Sequence, residues 1–352
     1  MTAKTTFAHP VPAKPNATTT QLDAIVIPTH RPGNQLNYAV GLAKENDCCL
    51  VVLCSGQAHA VEVISLCVDF AVQCIAINIP SNYTHPLLTG LTTNMFPEAI
   101  YGREQNNLAL KRNIGLLLGR MAGSVKMLFL DDDISDLYGF AEVMAINDHA
   151  SGFLMTGFPD NSVIRHAERL SGVEPGVSLS GGALVVNPSK VTVFFPNIYN
   201  EDWFFLHDTL MRTPPTLAGT ALQQPYDPFR DPMRAVSEEF GDVLAEGIVQ
   251  LRVAGVECQD ANTNDWQSIL TQRKMLINNT VKRLTPRKTE ANVQAALLSL
   301  AVAQARLADI RPETCIEYIA AWRRDIEWWR EQVTLLPSGL TIELAVKTLG
   351  LV

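Results

Sequence analysis

The chain lacks any apolar run long enough to span a bilayer, which argues against a membrane-embedded protein. A disordered tail, and not a secretory leader, is the expected reading of its start. The first twenty residues, MTAKTTFAHPVPAKPNATTT, are rich in Thr, Ala and Pro and hold no apolar core, so residues 1–20 read as a disordered tail. It has no basic patch: 28 Lys and Arg stand against 36 Asp and Glu, a formal net charge of −8. Such a surface does not neutralise a phosphate backbone, so nucleic acid is not an expected partner. An acidic protein that binds a nucleotide then needs local cations or a metal. The seven cysteines are odd in number and none sits in a C-x-x-C pair. That excludes a disulfide framework and a zinc knuckle in favour of buried, reduced thiols in a cytoplasmic protein. Histidine is scarce, and His207 is the only one after His166.

What is present is ample core material, 47% hydrophobic residues in 352, enough for a large α/β domain with additions or for two domains. LDAIVIPT, CCLVVLCS and VQCIAINI are short β-branched runs. Helical spacing separates them, through Leu36, Val40 and Ala43 and then from about Ala58 to Phe70. This alternation predicts a parallel sheet with right-handed crossover helices. The polar segment PSNYTHPLLTGLTTNMFPEAIYG interrupts the rhythm and is long for a plain connection, so it reads as a site loop. REQNNLALKRNIGLLLGRMAG predicts a helix, VKMLFL a fourth strand, SLSGGALVVNP another strand, and YNEDWFFLHDTLM the start of a helix. A Pro-rich loop is expected over Arg212 to Met233, with Arg230 and Arg234 near enough to serve a lid over a diphosphate. Helical patterns alone follow. Trp322, Ile326, Trp329 and Val333 form a core-facing stripe, and Pro312 suits a first turn. The expected organisation is therefore a sheet domain over 21–231 and a helical region over 232–352.

Asp131, Asp132 and Asp133 end the fourth strand, where ligands bind in open α/β sheets. Neighbouring like charges repel by about 1 to 4 kcal/mol per close pair, so the cluster needs water, donors or a cation. Asp131 and Asp133, two apart, can turn their oxygens onto one hard cation such as Mg²⁺ or Mn²⁺. Acids at a helix N-terminus are the plain alternative.

The triplet has company. IVIPTHRP, NNLALKRNIG followed by LFLDDD, SGGALVV and NEDW stand in an order that resembles GT-A-fold glycosyltransferases, with the large family 2 of nucleotide-sugar transferases as the nearest match. The resemblance covers about Leu22 to Asp208 and implies a Rossmann-like nucleotide-diphospho-sugar transferase fold. It implies that Pro28, Thr29 and Arg31 hold the nucleotide base and ribose. Ser55, after the second strand, is a further candidate there; VVLCSGQ departs from the family at this site, lacking the acidic residue the family often carries after the second strand. It implies that Arg112 and Asn113 reach the nucleotide or diphosphate, that Asp131 touches the ribose or metal-bound water, and that Asp133 ligates Mn²⁺ or Mg²⁺. Asp132 belongs to the donor site without direct ligation. Gly181 and Gly182 allow close approach of a sugar. Asp202, with Glu201 beside it, is implied as the general base. Metal ligation by His207 stands against a core histidine.

The reaction so implied moves a sugar from a nucleoside-diphosphate donor, UDP first, to a hydroxyl on a small-molecule or saccharide acceptor, with inversion. The helical region is expected to shape the acceptor side or a homodimer contact, and Lys111 to be plain surface. A retaining transferase of the mannosylglycerate synthase type, a UDP-sugar mutase and a non-catalytic binding module are the rival readings.

Overall fold

The computed structural model describes residues 5–7, 21–96, 107–145, 149–158, 162–173, 179–210 and 217–351. The strands are β1 (Thr5–Phe7), β2 (Ala24–Thr29), β3 (Cys49–Cys54), β4 (Cys74–Asn78), β5 (Met127–Leu130), β6 (Ile134–Tyr138), β7 (Ala150–Gly157), β8 (Leu179–Val186) and β9 (Leu217–Gln223). They form one sheet in the order β1-β4-β3-β2-β5-β8-β7-β9-β6. The run β4-β3-β2-β5 is parallel, as its continuous apolar strands imply. The rest is mixed, which corrects the purely parallel expectation. β8 runs against both β5 and β7, β9 lies parallel to β7, and β6 runs against β9.

Within the segment read as a tail, Thr5–Phe7 pair with β4 at the sheet edge. The rest of residues 1–20 lies outside the described residues. β9 falls inside the segment expected as a Pro-rich loop. Its Ala- and Gly-rich sequence carries little strand signal of its own.

Alternate residues of each strand enter opposite cores, as the two-residue period requires. Ile25, Ile27, Leu50, Val52, Leu128 and Leu130 face helices α1 (Asn37–Glu45) and α2 (Ala60–Asp69). Val26, Val51, Ile75, Phe129 and Leu184 face the other way, onto α3 (Pro86–Thr89) and α4 (Leu108–Ala122).

The same second core continues into the later helices. Helix α5 (Phe140–Ala145) joins the first core instead, through Val143 and Met144, while α6 (Val163–Leu170) and α7 (Glu201–Leu210) join the second. The C-terminal helices are α8 (Arg234–Val253), α9 (Thr263–Leu284), α10 (Ala291–Asp309), α11 (Pro312–Thr334) and α12 (Ile342–Thr348). Trp322, Ile326, Trp329 and Val333 are buried in that core, and α11 begins at Pro312, both as the sequence stripe implies. Among the described residues every strand precedes α8, and no single helix is long and apolar enough to cross a membrane.

Candidate functional site

The Asp triplet forms the turn between β5 and β6, and backbone bonds pin it on both sides. The Asp131 N–H donates to the Gly182 carbonyl of β8 at 2.8 Å, and the Gln224 N–H to the Asp133 carbonyl at 2.9 Å. The Ile134 N–H closes the turn on the Asp131 carbonyl at 3.2 Å. The three carboxylates cannot relax apart, so each meets a donor. Arg31 Nη1 lies 2.5 Å from Asp132 Oδ1 and 3.2 Å from Asp133 Oδ2. Thr29 Oγ1, at the end of β2, donates to Asp132 Oδ2 at 2.6 Å, and Gln223 Nε2 donates to Asp133 Oδ2 at 3.1 Å. Arg112 Nη2 donates to Asp131 at 2.9 Å, while its Nη1 donates to Glu201.

Arg112 is buried, and its guanidinium is the shared counter-ion of two carboxylates from distant parts of the chain. Burial pushes Asp131 up to about 7, against the pull of Arg112 and with the repulsion of Asp133. Burial likewise pushes Glu201 up to about 8, opposed by Arg112 and reinforced by Asp202. Burial is the larger cause of both shifts, and neighbouring carboxylates add to it. Asp131, Asp132, Asp133, Glu201, Asp202 and Glu238 line one cleft of about 410 Å³, against Arg31, Lys111, Arg112 and Arg234.

Asp202, in the first turn of α7, reaches the same cleft. Its Oδ2 accepts from the Gly181 N–H at 2.6 Å and its Oδ1 from the Trp203 N–H at 2.9 Å. Gly181 is required here. A Cβ on it would lie 2.7 Å from both Arg112 Nη1 and the Asp202 Cβ. Gly182 approaches Asp131 in the same way, a Cβ there lying 3.1 Å from Asp131 Oδ2. The two glycines thus admit protein side chains, and neither lines the cleft. That differs from the sugar contact expected of them.

Other expectations also shift. Pro28, Arg31, Arg112 and the triplet line the cleft, whereas Thr29 stands behind Asp132 and Ser55 behind Lys111. Asn113 is buried and clamps the Phe195 backbone, its Nδ2 donating to the carbonyl and its Oδ1 accepting from the N–H, both at 2.8 Å. It fixes the segment that leads to Asn197–Asp202 and does not reach the cleft. His207 stacks on Trp322, with ring centroids 6.0 Å apart. It lies about 9 Å along α7 from Glu201, at 1.5 Å per residue, and is not a lining residue.

Lys111 is the clearest reversal. Expected on the surface, it is buried, with Nζ donating to the Thr29 carbonyl at 2.8 Å and to Ser55 Oγ at 2.6 Å. It lies three residues before Ile114, on the buried side of α4, where a lysine is seldom found.

Of the far wall the sequence reading named Arg234 alone, as a lid residue, and missed Tyr226 and Glu238. Tyr226 follows β9, and Arg234 and Glu238 stand one turn apart on α8, ion-paired to each other. The Arg234 guanidinium sits 5.0 Å from the Tyr226 ring centroid, and Tyr226 Oη lies 2.7 Å from His166 Nε2.

Among the described residues no three His, Cys, Asp or Glu side chains converge as a metal site. Asp131 and Asp133 do line one cleft. Two carboxylates completed by water and phosphate oxygens are an ordinary Mg²⁺ donor set. The excess negative charge of the cleft is what such an ion would offset, so the residues present fit it.

No protein-family model matches the chain, and no curated protein matches its sequence.

Proposed function

We propose that the chain is a GT-A-type glycosyltransferase acting on a nucleoside-diphosphate sugar, UDP-linked in the first instance. One observation carries this reading. Arg31, Arg112, Asp131, Asp133 and Asp202, from motifs far apart in sequence, line a single cleft beyond the carboxyl ends of parallel strands. That is where ligands enter such sheets.

Asp131 and Asp133 would hold Mn²⁺ or Mg²⁺, which when bound offsets negative charge on the departing diphosphate. Arg31 binds the donor beside Asp132 and Asp133, and Arg112 keeps Asp131 and Glu201 in place from below. Asp202 takes the proton of the acceptor hydroxyl through the lone pairs that Gly181 and Trp203 leave open, and the displacement inverts the anomeric carbon. The wall of Tyr226, Arg234 and Glu238 receives the acceptor.

Both oxygens of Asp202 already accept a backbone N–H. That engagement favours, as a second reading, a retaining transferase of the mannosylglycerate synthase type, which needs no base. Calorimetric titration of UDP with Mn²⁺ and then EDTA tests the main reading. Binding should require both the metal and Asp133, and UDP binding that ignores the metal overturns the assignment of the triplet. Product anomeric configuration by NMR separates inversion from retention.

A further inference from the structure

Lys111 has no part in the reaction described above, yet it is among the most deeply buried charges of the chain, at 1% exposure. Burying an ammonium is costly unless its charge and its three donors are matched. Two donors are matched, by the Thr29 carbonyl and Ser55 Oγ, and both partners are neutral. Among the described residues no carboxylate bonds to it. Asp132 acts on it through space only, while its own oxygens are taken by Arg31 and Thr29. Lys111 lines the cleft, and its third N–H is the donor left for a ligand there.

Location says which part of a ligand that is. Thr29 closes β2 and Ser55 follows β3, so Lys111 Nζ stands over the ends of those two strands. The next residue, Arg112, turns the other way, to Asp131 and Glu201. Lys111 is thus held at the β2 and β3 side of the cleft, and Arg112 at the side of Asp131, one of the pair assigned to the metal and diphosphate. The nucleoside is the part of the donor left for this end. An ammonium has donors and no acceptor, so it selects an acceptor atom.

We propose that Lys111 is a specificity-determining residue for the donor nucleotide, its third N–H donating to an acceptor on the edge of the base, with a pyrimidine carbonyl as the fitting group. The proposal rests on the transferase reading of the cleft.

Burial also lowers Lys111 to about 8. The groups facing it are Cys54, His30 and Asp132. Burial pushes the Cys54 thiol up to about 12 and lowers His30 below its ordinary value, and Asp132 is paired with Arg31. Of Lys111, Cys54 and His30, only Lys111 changes charge between pH 7 and 9. A bond that needs its ammonium is present below that range and lost as pH rises through it.

The test is calorimetry on the full chain with Mn²⁺, using UDP and inorganic pyrophosphate as probes, for wild type, Lys111→Met and Lys111→Gln. Lys111→Met should bind UDP on the order of ten- to a hundredfold more weakly, the range for one charged hydrogen bond, and bind pyrophosphate as wild type does. Lys111→Gln keeps an uncharged donor and should fall between them. Wild-type UDP affinity should decline from pH 7 to 9, and Lys111→Met should lose that decline. Unchanged UDP binding in a folded Lys111→Met overturns the proposal, as does an equal loss for pyrophosphate, which would put the contact on phosphate. Should both variants fail to fold, wild-type UDP and pyrophosphate are compared from pH 7 to 9: Asp131 and Glu201 titrate in the same cleft and move both ligands, whereas loss of the Lys111 ammonium moves UDP alone, so equal declines overturn the proposal. If wild type binds pyrophosphate with Mn²⁺ but no nucleoside diphosphate better, the Lys111 assignment fails alone. If it binds neither, the transferase reading falls and takes this proposal with it.

Discussion

Arg112 carries the charge balance of the site. Its guanidinium is almost wholly enclosed, spans Asp131 and Glu201, and lies 5.6 Å from the Phe195 ring centroid. Replacing it with Met would leave the buried Glu201 and the partly buried Asp131 without their counter-ion. The expected loss is about 3 to 5 kcal/mol of unfolding free energy, measured by denaturant titration. Asp131 and Glu201 also set a pH dependence. Both are raised above the ordinary carboxylate range, to about 7 and about 8, so the folded chain holds protons there that the unfolded chain has released. Their contribution to stability is fully present below about pH 4 and is lost as pH rises through the folded values. Asp131→Asn should therefore flatten the fall in melting temperature between pH 5 and 8. Added Mn²⁺ should raise the wild-type melting temperature at pH 8 and leave that of Asp133→Ala unmoved.

At the level of elements, two close approaches hold the cleft in shape. One is β8 against α4 and α7 at Gly181, already described. The other is α8 against the segment before α7. A Cβ on Gly241 would collide with the Tyr199 carbonyl oxygen. The following residue, Asn200, has φ +63°, a left-handed conformation that few side chains adopt without a local hydrogen bond. Its Nδ2 donates to Asp242 Oδ1 of α8 at 2.8 Å, which holds the turn that aims Glu201 and Asp202. Gly241→Ala should push α8 off this turn, costing about 1 to 3 kcal/mol as overpacking does. Product formation should fall further than that cost implies, because Asp202 moves with the turn, and turnover beside the unfolding curve checks it.

These contacts mark what could be read in advance. The apolar, β-branched runs ending at Thr29, Cys54 and Leu130 are locally decisive, so the parallel strands and the place of the triplet were legible. β6, β7 and β9 were not, because strands such as LAGTALQ are specified by the neighbours they pair with. Side chains split in the same way. Arg31, Arg112 and Asp202 are polar groups at strand and helix ends, where a site is expected. Lys111 is hidden by its own chemistry, since a lysine in a helix is usually surface. Asn113, Gly181 and Gly182 were found as residues that matter but assigned to ligand contact, when the nearest atoms to each belong to the protein.

On the scale of the whole molecule, the composition shift after Pro232 suggests two separable parts, and the packing binds them. A single apolar core runs from Val26, Val51 and Phe129 of the sheet through Phe195 and Phe204 to Phe240, Trp266, Tyr318 and Trp329 of the helices. The polar contacts cross the same line. Arg165 of α6 pairs with Glu246 of α8, and Asp325 of α11 accepts the N–H groups of Thr92 and Thr93; within the helical region, Arg273 of α9 is buried among Glu239, Asp242 and the same Glu246. Asp242 belongs to this network and is the acceptor for Asn200, so the helices support the turn that presents Asp202. Residues 21–231 expressed alone would expose the part of that core which α8, α9 and α11 cover and leave that turn without its partner. The expected result is a fragment without a cooperative melting transition. The full chain should instead unfold in one transition, with fluorescence of the C-terminal tryptophans and far-ultraviolet dichroism of the whole chain coinciding. Arg273→Leu would strip three carboxylates of their shared counter-ion, and should lower that single transition by about 3 to 5 kcal/mol without splitting it. Two resolved transitions, or a folded 21–231 fragment that still binds UDP, would show that the helical region is an independent domain and that Asp202 is positioned without it.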